Sequence, residues 1–283
     1  MAYARTYFLT DICTSEQADS SSAPSARYDH KMFAYGGHMI LYGGKSSKSE
    51  LLNDTWFFDF TAHMWQKLPD SPVHSDSVGL ADGTLYAIAK SPAQGICHVY
   101  TLDIKDHVPS PKPSESLEWH KIPTPSGEPS PGPIVRIGAG VLPITTGYGR
   151  LYLAYLFGSE KEEEEEEEKS SDADPEVPRA YLSDFWTYQL PSKSAKPTSW
   201  TDFKPAAIKD TIRQKLGYSS GGQEWGEVEV EASEQVAAEG KVHPGPRAFF
   251  GSDVGEDGKT IVLWGGVNAK GEKESDGWLI KLQ

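Results

Sequence analysis

The chain has 283 residues with 20 prolines, 27 glycines and 11% aromatic residues, enough length for a sizeable core in one or two domains and a make-up that fits a turn-rich all-β protein. A net charge of −14 argues against nucleic acid and anionic membranes as partners, although eleven acids against two lysines between Glu160 and Glu176 account for −9 and leave only −5 elsewhere. Two cysteines far apart, Cys13 and Cys97, make neither a disulfide framework nor a zinc pattern. No run approaches the roughly 18 apolar residues of a membrane span, and the N-terminus has no signal-peptide core, so a cytoplasmic protein with reduced thiols is expected.

Taken in order, Arg5–Ile12 (RTYFLTDI) is a lone strand candidate, followed by a Ser-rich loop from Thr14 to Ala26. The next stretch, Arg27–Pro69, carries four short apolar and aromatic runs, His30–Tyr35, Met39–Tyr42, Thr55–Phe60 and Met64–Leu68. Gly36-Gly37, Gly43-Gly44 and Thr61-Ala62-His63 separate them. Such runs with such breaks are strand signals, and a four-stranded meander of about 40 residues is one propeller blade. This stretch resembles a kelch repeat: Gly43-Gly44 stands for the double glycine after the second strand, Trp56 or Phe57 for the aromatic of the third, and Trp65 for the tryptophan of the fourth.

A second, degenerate blade is expected over Ser75–Pro123, with strands at Ser77–Leu80, Thr84–Ala89, His98–Ile104 and Leu117–Ile122. Trp119 matches Trp65, and Lys90-Ser91 replaces the double glycine. A third begins near Pro133, with strands at Arg136–Ile144, Arg150–Phe157 and Leu182–Leu190 and either Trp200 or Trp225 in the fourth. The acidic insert at 159–180 reads as a disordered loop interrupting it. Ile208, Ile212 and Leu216, with Gly217 behind them, suggest a helical insertion at 206–217. The fourth blade has strands at Ala248–Val254, Thr260–Trp264 and Gly277–Gln283, with the double glycine restored as Gly265-Gly266, and lacks a fourth strand.

The expected fold is therefore an all-β, kelch-type β-propeller over residues 1–283, of the wider galactose oxidase and kelch-like group. Four antiparallel blades are recognisable, with room for a fifth or sixth, one of them hidden within 208–242. The resemblance implies closure by pairing N- and C-terminal strands. Seven tryptophans on blade strands, Trp264 among them, are expected to pack between neighbouring blades.

Arg27, Arg136 and Arg247 each precede a first strand and lie 109 and 111 residues apart. At the channel mouth they would, with Tyr28, form a ligand site for a carboxylate or phosphate; alternatively each locks its own blade to a neighbour. His30 and Asp29 are the acid–base candidates beside them. A copper site of the galactose-oxidase kind cannot be assembled from Cys13 or Cys97. The iron string of nitrile-specifier proteins fails because Glu50 and Asp54 are followed by Phe58 where histidine belongs. No metal and no cofactor is expected. The resemblance implies first a stand-alone binding scaffold for a protein segment or a small anionic molecule. The alternative is a metal-independent lyase, isomerase, cyclase or specifier protein of specialised metabolism. A monomer is expected, or a dimer if the ring is incomplete.

Overall fold

A computed structural model of the chain describes residues 23–90, 97–105, 117–122, 132–146, 150–160, 180–190, 225–231 and 243–282. The Arg5–Ile12 strand, the acidic run, the 206–217 helix and most of the hidden-blade region lie outside these residues. The described structure is all-β and consists of β-propeller blades.

Blade 1 is the meander β1 (Lys31–Tyr35), β2 (His38–Lys45), β3 (Leu51–Asp59) and β4 (Met64–Leu68). Period-two alternation sorts its side chains: Leu41, Trp56, Phe58 and Trp65 cluster on one face, with Met39 and Ala23 packed against them. Blade 2 is β5 (Ser77–Ala81), β6 (Thr84–Lys90), β7 (Cys97–Asp103) and β8 (His120–Lys121). Trp119 lies just before β8 and donates its indole N–H to the Pro69 carbonyl at 3.0 Å.

The Arg136–Ile144 run is not one strand. It divides into β9 (Arg136–Ile137) and β10 (Gly140–Thr146), because Gly138 takes a left-handed φ of 61° and turns the backbone between them. Blade 3 is β10, β11 (Arg150–Leu156), β13 (Phe185–Gln189) and β14 (Trp225–Glu227), while β9 pairs with β12 (Ser159–Glu160). Trp225, opposite Tyr188, thus supplies the fourth strand. The acidic run leaves and re-enters at one place, since the Glu160 N–H donates to the Ala180 carbonyl at 2.9 Å.

The fourth blade repeats the division at Phe249, whose φ is 56°. There β15 (Arg247–Ala248) pairs with β18 (Val267–Asn268), and the blade proper is β16 (Gly251–Val254), β17 (Thr260–Trp264) and β19 (Gly277–Lys281), three strands among the described residues.

The chain divides into two compact units: Met1–Ser75 with Asp82–Thr84 and Leu102–Trp119, and Asp76–Ala81 with Leu85–Thr101 and His120–Gln283. Within the second, β10 lies beside both β5 and β16, so first strands of successive blades are neighbours, as the propeller architecture requires. Blades 2 and 3 share one apolar cluster around Ile88, Val99, Leu153, Tyr155 and Trp186. Blades 3 and 4 share another around Ala154, Leu156, Phe185, Ile261, Leu263 and Ile280.

Trp264 departs from the expected inter-blade packing. It is 64% exposed, on a face with exposed Val262 and Leu279. The matching positions of blades 1 and 3, Tyr42 and Leu156 just before the paired left-handed residues, are buried. The indole lies over the bare backbone of Gly277 on this exposed face. No helix in the described residues is long and apolar enough to cross a membrane.

Candidate functional site

The three arginines mark one repeated arrangement. Arg27 Nη1 donates to Asp54 Oδ1 at 2.5 Å and Nη2 to Oδ2 at 2.8 Å. Arg136 holds Asp184 the same way at 2.5 and 3.0 Å, and Arg247 holds Asp276 at 2.7 and 3.4 Å. Each Nη1 also donates at 3.0 Å to a backbone carbonyl, that of Gly43, Phe157 or Gly265. Two residues beyond each aspartate a tryptophan donates its indole N–H to the same carboxylate, Trp56 at 2.7 Å, Trp186 at 2.6 Å and Trp278 at 2.7 Å. Each carboxylate is thus gripped by a fork and an indole, the geometry in which an arginine pair is strongest.

The backbone beneath is equally regular. Gly43-Gly44, Phe157-Gly158 and Gly265-Gly266 all have two consecutive left-handed residues, with φ of 56° and 99°, 53° and 96°, and 67° and 101°. The second must be glycine, because a Cβ on Gly44, Gly158 or Gly266 would stand 2.7 to 2.9 Å from the carbonyl oxygen of the residue after the arginine. The bend carries the first carbonyl back onto the guanidinium. It also lets the residues after the arginine pair beyond the bend, as Tyr28 does with Lys45.

Burial alone opposes ionisation of Asp54, but hydrogen bonds from Arg27 and Trp56 and the guanidinium charge outweigh it and hold the carboxyl below its ordinary value. Asp184 is held down by the same balance with Arg136 and Trp186. The guanidiniums are correspondingly shut in: the side chains of Arg27, Arg136 and Arg247 are 3%, 0% and 2% exposed. Arg136 also lies 4.8 Å from the centre of the buried Tyr155 ring. Their donors are turned onto their own blades. Asp54, which sequence spacing placed in a would-be iron string, is the carboxylate of the first clasp.

Of the other candidates, Tyr28 is 45% exposed, with its hydroxyl 3.0 Å from Ser49 Oγ and its ring 5.9 Å from Lys45 Nζ. Asp29 takes a left-handed φ of 56° and pairs with the same Lys45 at 3.4 Å. Exposed Tyr28 and Asp29, with the mostly buried Lys45 paired to Asp29, make a polar and aromatic patch directly after the first clasp. His30 lies behind it against Gly44, its Nδ1 buried without a hydrogen-bond partner among the described residues. Tyr28, Asp29 and His30 thus sit together on the first unit, whereas Arg136 and Arg247 belong to the second. Among the described residues no group of three or more His, Cys, Asp and Glu side chains is placed to hold a metal ion.

No family model matches the chain. A stretch of 107 residues is 26% identical to the tRNA wybutosine-synthesizing protein 2/3/4 of Oryza sativa subsp. japonica; it covers 36% of this chain and only 9% of that protein. The solved structure of YjhT aligns over 92% of this chain and 68% of its own, at 14% sequence identity with a TM-score of 0.45.

Proposed function

We propose that the chain is a kelch-type propeller that works as a binding scaffold, gripping a protein segment or small anionic molecule through loops of one face. The observation that carries this reading is the clasp. Three clasps, each a buried arginine held by an aspartate that a tryptophan also grips, use their charge to fix the bends at the ends of the second strands, which is what a rigid frame for recognition loops requires. The patch of exposed Tyr28 and Asp29, with Lys45 paired to Asp29, is then the contact surface, with Arg27 holding it in place. The tRNA modification in the rice protein's name is not carried over, because the negative charge here offers little phosphate neutralisation.

A second reading rests on one atom. His30 Nδ1 is buried beside Asp29 and unpartnered among the described residues, an arrangement from which an imidazole can move a proton on a small metabolite. One screen tests both. Ligand binding to the native state stabilises it by mass action, by about 2.7 kcal/mol at a hundredfold excess over Kd, and so raises the melting temperature. Peptide or anion hits lost in Tyr28→Ala and Lys45→Ala support the scaffold. Metabolite hits turned over by the wild type and not by His30→Gln support the enzyme. Hits that ignore all three substitutions overturn both.

A further inference from the structure

The clasp of blade 4 differs from its two sisters at one atom. Arg27 Nε donates to the carbonyl two residues earlier, Ser25 O, at 2.9 Å, and Arg136 Nε donates likewise to Ile134 O at 2.9 Å. In blade 4 the corresponding carbonyl belongs to Gly245, yet Arg247 Nε is buried with no hydrogen-bond partner among the described residues. The guanidinium instead reaches one residue further back, with Nη2 donating to the Pro244 carbonyl. The cause lies in the same loop. The Gly245 N–H donates to His243 Nδ1 at 2.9 Å, closing a tight turn, and Gly245 takes a φ of 80°. This turn holds the Gly245 carbonyl away from the donor that its counterparts satisfy.

We propose that His243 is a pH-operated latch on the loop ahead of blade 4: neutral, it holds Gly245 in the turn; protonated, it releases Gly245, whose carbonyl swings onto Arg247 Nε as in the other two clasps. Nδ1 can accept the Gly245 N–H only while it carries no proton, so protonation turns an acceptor into a donor and breaks the turn. The alternative arrangement has its partner waiting, since a buried unpaired N–H is costly to leave unmade. Gly245 has the means to move: it carries no Cβ, and nothing lies within 4 Å of where one would be. Among the described residues, His243 meets the edge of the Phe157 ring at 5.7 Å and the Arg247 charge, itself neutralised by Asp276. Burial first, and Arg247 second, hold its pKa below 6.5. The latch is therefore closed at neutral pH and opens as pH falls through that lowered value. This inference does not depend on the binding-scaffold reading.

Proton NMR with hydrogen exchange on the full chain between pH 7.5 and 5 tests it, with exchange rates corrected for intrinsic pH dependence. The expected result is a Gly245 amide that loses protection at least tenfold. Arg247 Nε–H gains protection with the same midpoint, while Arg136 Nε–H is unchanged. His243→Asn keeps a side-chain acceptor at every pH and should hold the turn shut, abolishing both changes. Gly245 and Arg247 signals that do not move in the wild type would overturn the latch. So would an unaltered transition in His243→Asn, or a parallel change at Arg136 that marks general loosening.

Discussion

Arg136 and Asp184 are joined by two parallel N–H···O bonds of 2.5 and 3.0 Å, with the arginine fully buried and the aspartate at its edge. Removing one member strands the other. Asp184→Ala leaves a buried guanidinium and an unpartnered Trp186 indole, and should cost about 3–5 kcal/mol of stability. The double variant Arg136→Met, Asp184→Leu should cost less than Asp184→Ala alone, because it removes the buried charge together with its partner. Urea denaturation of the three proteins measures the order. A double variant worse than the single would mean that the fork holds the bend by geometry rather than by charge balance.

The clasps also set an acid limit. Asp54 and Asp184 have carboxyl pKa values held below 3.8 in the fold. A depressed carboxylate contributes stability that is fully present above its unfolded value and is lost as pH falls through the folded one. The melting temperature should therefore be insensitive to these groups above about pH 5 and fall steeply below about pH 4. Asp184→Asn should start lower and show a shallower acid slope. Equal slopes in the two proteins would show that other carboxylates govern acid unfolding.

Much of this was legible in the chain, and the part that was not has a physical reason. The double glycines, the tryptophans and the spacing of Arg27, Arg136 and Arg247 located blades 1, 3 and 4. The aspartates stand in plain view as Asp-x-Trp in DTW, DFW and DGW, at Asp54, Asp184 and Asp276. Their partnership with the arginines was hidden because 27, 48 and 29 residues separate the members, so no local period joins them. Left-handed Phe157 and Phe249 were also out of reach, since a phenylalanine in that region is held there by its surroundings and not by its own preference. Blade 2 lacks the arginine and the Asp-x-Trp string, which is why its match to the repeat was weak.

Trp264 and Trp278 lie on directly paired strands of the same blade, in neighbouring register positions, and should respond oppositely to substitution. Trp264 is 64% exposed and makes no clasp, so Trp264→Ser should change stability by no more than about 0.5 kcal/mol and lower the tendency to self-associate. Trp278 donates to Asp276, and Trp278→Phe should cost about 1–3 kcal/mol through the unmade bond to a charged acceptor. Thermal melts with static light scattering read both. A large loss in Trp264→Ser would mean that this face is covered in solution.

Cys97 offers a chemical probe of the blade 2–blade 3 core. Burial pushes its thiol up to about 12, against a smaller opposing pull from Arg136. The thiolate is the reactive form, so at pH 8 Cys97 should be nearly inert to an aromatic disulfide reagent. With Cys13 replaced by serine, labelling should be slower than for a free thiol by a factor on the order of a thousand, following from the scarcity of thiolate. It should rise to the free-thiol rate in denaturant. Because Cys97 packs in the same cluster as Tyr155, which faces Arg136, the Asp184→Ala variant should label faster under native conditions. Labelling that remains slow in that variant would show that the clasp does not hold this core closed.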